Sequence, residues 1–262
     1  MFVPFVMTVD EIKTLIYKKG APKLIDENAA KDEVYSRMQK MLLGEDGVID
    51  GSILQSFWFP TEDYHYDVFI SHSHHDYTYA VQLASWLENY CDLKCFVDGF
   101  VWKSADKLLN EIDKIYTWHE ERGVYDYKER NFSTSHVHAM LSMAIFDIID
   151  RSECCVFIES EKSIELKNIK SKTLSPWLYE ELTFMKKGRI TVPARLQHTH
   201  YEVRNYSTSA AVEVLNEARE LKVSYDVDLD QFKNMTCDDM LGLEGKGTSG
   251  LDSMYMAKGI VH

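Results

Sequence analysis

Two helix-like patterns open the chain. Apolar residues recur at helical spacing between Thr8 and Gly20. Thr8 followed by Glu11 has the spacing of a capping box, which predicts that the first helix begins there. A second helical pattern covers about residues 26–43 and ends in a stretch rich in glycine and acidic residues. That stretch lacks the alternating acids and the closing glutamate of a calcium loop, so we interpret it as a turn.

In the middle of the chain, short apolar runs alternate with amphipathic segments. This alternation predicts an α/β fold in which a doubly wound parallel sheet carries helices on both faces. The predicted strands cover residues 66–71, 93–98, 153–158 and 189–193. The predicted helices cover about residues 77–89, 105–116, 135–149 and 210–221, with a short helix after Pro176.

The pattern divides the chain into three units. Residues 1–63 form a helical N-terminal extension, residues 64–222 form the α/β domain, and residues 223–262 form a small C-terminal extension. The last unit contains aspartates at alternate positions, 226, 228 and 230. A strand with one solvated face explains that alternation at least as well as a metal site does.

Composition narrows the class of protein. The 262 residues are 45% hydrophobic and 27% charged, which excludes wholesale disorder. The net charge of −13, without a block of basic residues, argues against nucleic-acid and anionic-membrane partners. No apolar run approaches the roughly 18 residues that span a bilayer, and the apolar start lacks the features of a signal peptide. Five cysteines lie inside apolar runs and are interpreted as reduced, buried thiols. We therefore expect a cytoplasmic, soluble protein.

Chemistry-bearing residues follow the predicted strands. The first strand ends at Ser71 and is followed by His72 and His74, and the second ends at Asp98. Ligands of open parallel sheets bind outside these carboxyl ends. Trp177 and Glu181 are four residues apart and therefore share one helix face. An aromatic ring beside a carboxylate suits a ligand with a flat ring and a polar sugar.

Four segments carry a resemblance to a known family. Residues 66–71, followed by a helix and then residues 95–98, resemble the first two conserved boxes of Toll/interleukin-1 receptor (TIR) domains. Residues 175–182 are similar to the S-x-W-x-x-x-E-L box of the NAD-cleaving members. Residues 104–108 resemble the start of the second helix in bacterial members. The resemblance covers about half of the chain, and its strength lies in the order and spacing of the segments.

The resemblance implies a flavodoxin-like TIR fold and NAD+ as substrate, with no metal and no separate cofactor. It assigns Glu181 as the catalytic glutamate, while Glu180 has the wrong register and is a bystander. The substrate-binding residues that we expect are Phe69, Ser71, His72, His74, Asp98, Trp102 and Trp177. One carboxylate is sufficient because the nicotinamide of NAD+ leaves as a neutral molecule, whereas ordinary glycosidases need a general acid for a poor leaving group.

The histidines allow a second interpretation. His72, His74, His75, His136 and His138 suggest a zinc site, but no cysteine or glutamate lies at a recognised zinc spacing. We favour a role for these side chains at the rim of the cleft or in contact with a diphosphate or adenine.

Three functional hypotheses follow. The first is a TIR-type NAD+ glycohydrolase or ADP-ribosyl cyclase, similar to the TIR component of Thoeris-like antiphage systems, whose product reaches a separate effector protein. The second is a non-catalytic module for homotypic TIR–TIR assembly. The third is a nucleoside-processing transferase on a similar sheet. The complete 175–182 box favours the enzyme over the module, and the 66–71 box counts against the transferase. Whether the product is linear, cyclic or base-exchanged ADP-ribose stays open.

Overall fold

The structure is a computed structural model that describes residues 1–24, 48–58, 65–161, 163–167, 170–197 and 224–261. The helices predicted near residues 26–43 and 210–221 lie outside the described residues. Within them, ten strands and eight helices alternate along the chain.

The centre of the fold is a five-stranded sheet in which all pairings are parallel. The strands of the whole molecule are β1 Val3–Thr8, β2 Val68–Ser71, β3 Cys95–Val97, β4 Trp118–His119, β5 Val124–Tyr125, β6 Cys154–Glu159, β7 Glu165–Lys167, β8 Lys170–Thr173, β9 Tyr225–Val227 and β10 Lys233–Asn234. The central sheet has the order β10-β1-β6-β2-β3, while β4-β5 and β7-β8-β9 form small antiparallel sheets. The predicted α/β class is confirmed.

Helices cover both faces of the central sheet. They are α1 Val9–Lys19, α2 Gly51–Trp58, α3 Tyr77–Cys91, α4 Gly99–Tyr116, α5 Tyr127–Arg151, α6 Pro176–Lys187, α7 Cys237–Leu243 and α8 Thr248–Ala257. The predicted start of the first helix is correct, since Thr8 Oγ1 accepts a hydrogen bond from the backbone N–H of Glu11 at 3.3 Å. The helices α4 and α5 are longer than their patterns predicted because both begin earlier in the chain.

The N-terminal extension, which was expected to be helical, begins with a strand that the pattern did not predict. Val3–Thr8 forms β1, which pairs with β6 along its whole length and with β10 on its other side. The physical reason is burial on both faces: a strand inside a parallel sheet is apolar at consecutive positions and shows no alternation. One sheet therefore contains strands from all three predicted units, including β10 from the C-terminal one.

Among the described strands of the central sheet, β6 is in the middle and β2 lies one position from the edge. One further expectation about the sheet needs correction. Residues 189–193 do not form a strand; the backbone N–H of Thr191 instead donates to the carbonyl of Met1 at 2.9 Å, just before β1. The position beside β6 that such a strand would take is filled by β1.

Two apolar clusters hold the layers together. One contains Val68, Ile70, Cys154 and Val156 with residues of α1, α3, α7 and α8, and the other contains Phe69 and Cys155 with residues of α2, α4, α5 and α6. Successive strand residues thus face opposite sides, as the period of two requires. The five cysteines are buried and unpaired, in agreement with the sequence.

The chain order creates a crevice at one end of the sheet. From β2 the chain passes through α3 to β3 at the edge, and it later returns to β6 on the other side of β2. Such a reversal of direction is the place where open α/β sheets bind ligands, outside the carboxyl ends of the strands. No described helix is both long enough and apolar enough to cross a bilayer.

Candidate active site

Helix α6 places the side chain of a glutamate next to the carboxyl end of β2. The helix starts after Ser175, whose hydroxyl oxygen accepts a hydrogen bond from the N–H of Leu178 at 3.3 Å, and Pro176 occupies the first turn. One turn further on, Glu181 points at the sheet and keeps only 1% of its surface exposed. Ser71 Oγ donates to Glu181 Oε2 at 2.5 Å, whereas Oε1 has no hydrogen-bond partner.

A second buried carboxylate lies beside the first. Asp98 follows β3 at the N-terminus of α4, where an aspartate usually caps the helix, yet its side chain makes no capping hydrogen bond. Its Oδ2 instead accepts from the backbone N–H of His72 at 3.4 Å. Its Oδ1 touches His72 Nδ1 in an ion-pair contact that lacks hydrogen-bond geometry. Both side chains are 2% exposed.

Gly99 makes this close approach possible. A Cβ atom at this position would lie 2.7 Å from Cδ2 of Tyr77 and 3.0 Å from Cε1 of His72. The Tyr77 and His72 rings are themselves in contact, with centroids 5.6 Å apart. A larger residue at position 99 would therefore displace the rings of Tyr77 and His72, so the packing beside Asp98 requires a glycine here.

The surroundings of Glu181 change the pKa of its carboxyl group. Burial raises the pKa of Glu181 well above its ordinary value of 4.5, and the neighbouring Asp98 carboxylate raises it further; the hydrogen bond from Ser71 opposes this shift. Among the described residues, no lysine or arginine pairs with either carboxyl group. Glu181 therefore holds its proton in the resting site more tightly than a solvated glutamate does.

A cavity of about 560 Å³ adjoins this pair, which is a typical volume for a small-molecule site. The ends of β2 and β3, the start of α4, the middle of α5 and the start of α6 form its walls. The titratable side chains that line it are His72, His74, His75, Asp98, Asp106 and His138. No lysine or arginine lines it within the part of the chain that the structure describes. Ser71 and Glu181 are not part of the wall and adjoin it through Asp98.

Trp177 contributes the aromatic wall of this cavity. Its half-buried ring meets the His138 ring edge to face, with centroids 4.9 Å apart. This contact joins α6 to α5 at the mouth of the cavity. The sequence offered His138 as a zinc ligand or, preferably, as a side chain at the rim of the cleft, and it lines the cavity. Its contact with Trp177 depends on the packing of two helices and leaves no signal in the local pattern.

The structure brings most of the predicted site residues together. His72, Asp98 and Trp177 line the cavity, Ser71 and Glu181 adjoin it through Asp98, and His74 is exposed at its rim. Phe69 lies elsewhere, fully buried in the core and stacked on Phe96 at 5.8 Å. Trp102 lies in the first turn of α4, and its side chain is outside the described part of the structure.

Histidine, cysteine, aspartate and glutamate are the usual metal ligands in proteins. Among the described residues, no three histidine, cysteine, aspartate or glutamate side chains converge on a common point. Burial raises the pKa of Cys91 to about 12 and also raises that of Cys95 and Cys154, so these thiols are poor thiolate ligands.

Comparison with known proteins does not assign this chain to a family. The chain matches no known protein family, no curated protein and no solved structure.

Proposed function

We propose that this protein is a TIR-type NAD+ glycohydrolase or ADP-ribosyl cyclase that cleaves the bond between nicotinamide and ribose. The observation that carries the proposal is Glu181: a buried carboxyl group with one unpartnered oxygen, at the carboxyl end of β2 and beside a cavity walled by Trp177.

The order of the strands supports a flavodoxin-like arrangement. In chain order, β3-β2-β6 has the 2-1-3 pattern of that fold, and β1 and β10 occupy the two following positions. The strands at those two positions come from the ends of the chain, which is a departure from the usual connectivity. The site at the end of β2 retains its position relative to the reversal point.

The chemistry requires a single negative charge facing the ribose. Nicotinamide leaves NAD+ as a neutral base, so no general acid is needed, and positive charge develops on the ribose. A fixed carboxylate in a water-poor site stabilises that charge more strongly than one in water does. Glu181 lies next to Asp98 beside the cavity, which supports this role, and the flat ring of Trp177 suits an aromatic base.

The protonation of Glu181 fits a substrate that is a cation. Burial and Asp98 raise the pKa of the carboxyl group and so favour its neutral form. A pyridinium ion beside the free Oε1 favours the ionised form, because an opposite charge within a few ångströms lowers a carboxyl pKa. Contact between ribose and Glu181 requires a small shift of the His72–Asp98 pair, which separates Glu181 from the cavity.

The resemblance also extends the proposal beyond the reaction itself. We expect the ADP-ribose-derived product to act on a separate effector protein in prokaryotic antiphage defence, and we expect homotypic assembly of the TIR units.

One observation favours the non-catalytic alternative. Glu181 is covered, and the β4-β5 hairpin together with the start of α5 exposes aromatic side chains that suit a protein partner. These are Trp118, Tyr125, Tyr127 and Phe132, which are between 40% and 80% exposed. A module for homotypic assembly needs these features and needs no substrate.

The experiment is incubation of the protein with NAD+ at high protein concentration, with mass spectrometry of all products. We expect nicotinamide release, which Glu181→Gln lowers by about 10²-fold or more because the charge is lost while the size is kept. Substrate affinity falls less than turnover, because the charge acts most strongly in the transition state.

Glu180→Gln is the matched control. It changes the net charge of the protein by the same amount, one residue away in α6, and we expect nearly unchanged activity. Equal activity in the two variants would mean that the 175–182 box does not form the catalytic site. NAD+ that stays intact at every protein concentration would favour the interaction module.

A further inference from the structure

Any proton transfer in the cleavage of NAD+ involves the group that accepts ADP-ribose and not the leaving nicotinamide. Nicotinamide departs with the electron pair of the broken C–N bond and needs no proton. A hydroxyl acceptor, either water or a ribose hydroxyl, must lose its proton when its oxygen bonds to the anomeric carbon. A pyridine acceptor carries no such proton. A general base is therefore needed for hydroxyl acceptors and is unnecessary for pyridine acceptors.

The site contains an imidazole that is held like a base. His72 lines the cavity, and its Nδ1 lies against Asp98 Oδ1. The other ring nitrogen, Nε2, is on the far side of the ring from Asp98. A carboxylate on Nδ1 fixes the orientation of an imidazole and stabilises its charged form after it accepts a proton. Asp98 serves this contact instead of capping α4.

We propose that His72, positioned by Asp98, is the general base that deprotonates a hydroxyl acceptor, and that the site is therefore built for transfer of ADP-ribose to water or to a sugar hydroxyl. This inference rests on the proposed function and names the acceptor class. In the step, the C–N bond of the ribosyl carbon breaks and its pair goes to nicotinamide. An oxygen lone pair of the acceptor forms the new C–O bond. The acceptor proton goes to His72 Nε2 and then to solvent through the cavity.

Neighbouring groups are less suited to this task. Glu181 is already held by the hydroxyl of Ser71 and is placed to face the ribose cation. His74 and His75 are exposed on a 3₁₀ turn, and no carboxylate contact fixes either ring. Asp98 itself touches the imidazole and acts through it, so we regard Asp98 as a positioning residue.

The test is a competition between two acceptors. His72→Gln and Asp98→Asn are incubated with NAD+ and 3-acetylpyridine, a pyridine nucleophile, and mass spectrometry quantifies the hydroxyl-transfer products and the exchanged dinucleotide separately. In both variants we expect the ratio of hydroxyl-transfer products to exchanged dinucleotide to fall by about 10²-fold. Exchange that remains measurable also shows that the variant is folded.

His119→Gln is the control for loss of an imidazole paired with a carboxylate. His119 lies 3.4 Å from Glu129 and about half of its surface is in water; we expect this variant to retain the product ratio of wild type. If both His72→Gln and Asp98→Asn leave the ratio unchanged, whether the two activities persist or fall together, the assignment of His72 is wrong. Failure of the wild-type protein to release nicotinamide is a different outcome, since it removes the proposed function and this inference with it.

Discussion

Two pairs of carboxylates lie at opposite ends of the central sheet, and their surroundings differ. At the amino end, Glu153 precedes β6 and Asp252 belongs to α8. Arg195 lies between them and donates to both carboxylate oxygens of each at 2.6–2.8 Å, and the Tyr255 hydroxyl also donates to Glu153. These contacts raise the pKa of the Arg195 side chain. Every oxygen of this pair accepts a hydrogen bond, and Arg195 compensates one of its two negative charges.

At the carboxyl end, Asp98 and Glu181 are more deeply buried, and no lysine or arginine of the described residues pairs with them. The basic side chain beside them is the imidazole of His72, and Glu181 Oε1 has no hydrogen-bond partner in the described part of the chain. Because an unpaired buried charge is costly, burial raises the pKa of Glu181, and the neighbouring Asp98 raises it further. The contrast indicates that the amino-end pair stabilises the fold, whereas the carboxyl-end pair lowers stability and provides groups that a cationic ligand can complete.

Removal of Arg195 should produce the largest loss of stability. Arg195→Met keeps most of the side-chain stem but leaves Glu153 and Asp252 uncompensated. Breaking a buried ion pair costs about 3–5 kcal/mol; since about a third of the Arg195 side chain is in water, we expect a loss of about 2 kcal/mol. Urea unfolding measures it.

Arg195→Lys tests the geometry of the same contact. Lysine keeps the charge but lacks the planar fork that binds two carboxylates at once, so we expect about half of the loss. Nicotinamide release per folded molecule should stay at the wild-type rate in both variants. A drop in that rate would show that the two ends of the sheet are coupled and that the contrast between them is wrong.

The elements around the carboxyl-end pair were largely predictable from the sequence. Apolar runs located β2, β3 and β6, and the Ser-Pro start located α6, so Glu181, Ser71 and Asp98 were placed at the same end of the sheet. The missed strand β1 has a physical cause, since its run of apolar residues is typical of a strand buried on both faces as well as of other apolar segments.

Side-chain contacts were beyond the reach of the pattern. An aspartate at position 98 could either cap α4 or contact the imidazole of His72. The sequence does not distinguish these two arrangements, and the structure shows the second. Phe69 and Ser71 share one sheet face, but depth along the strand puts Phe69 in the core. The Arg195 contacts join residues 42 and 57 positions apart, and no local spacing indicates them.

The second prediction concerns pH and the carboxyl-end pair. The pKa of Glu181 is higher in the folded chain than its ordinary value of 4.5, so unfolding releases a proton at pH values between the two. Higher pH therefore favours unfolding. The destabilisation is absent below about pH 4.5 and grows as the pH rises towards the pKa of Glu181 in the folded chain. The free energy of unfolding falls by at most about 1.4 kcal/mol per pH unit in this range.

Glu181→Gln removes that titration and places an amide N–H beside Asp98. We expect the variant to be more stable than wild type at pH 7 by about 1 kcal/mol, and the difference should shrink towards pH 4.5. Urea midpoints across this range measure it, with Glu180→Gln as the control that shows no such trend. A destabilised Glu181→Gln at pH 7 would mean that the carboxyl group contributes to the fold as the amino-end pair does.

The smallest effect is expected at a second imidazole–carboxylate pair, which separates the effect of burial from that of residue type. His119 and Glu129 repeat the chemistry of His72 and Asp98, but their side chains are 45% and 48% exposed, compared with 2% for the buried pair. Water screens such a pair, and Glu129 adds a weak favourable interaction with the N-terminus of α5. Glu129→Gln should therefore change the free energy of unfolding by no more than about 0.5 kcal/mol, and 1 M salt should reduce the change further. A loss above about 1.5 kcal/mol in urea unfolding would show that exposure does not weaken this pair. In that case burial could not explain why Asp98 and Glu181 behave differently from other carboxylates of the chain.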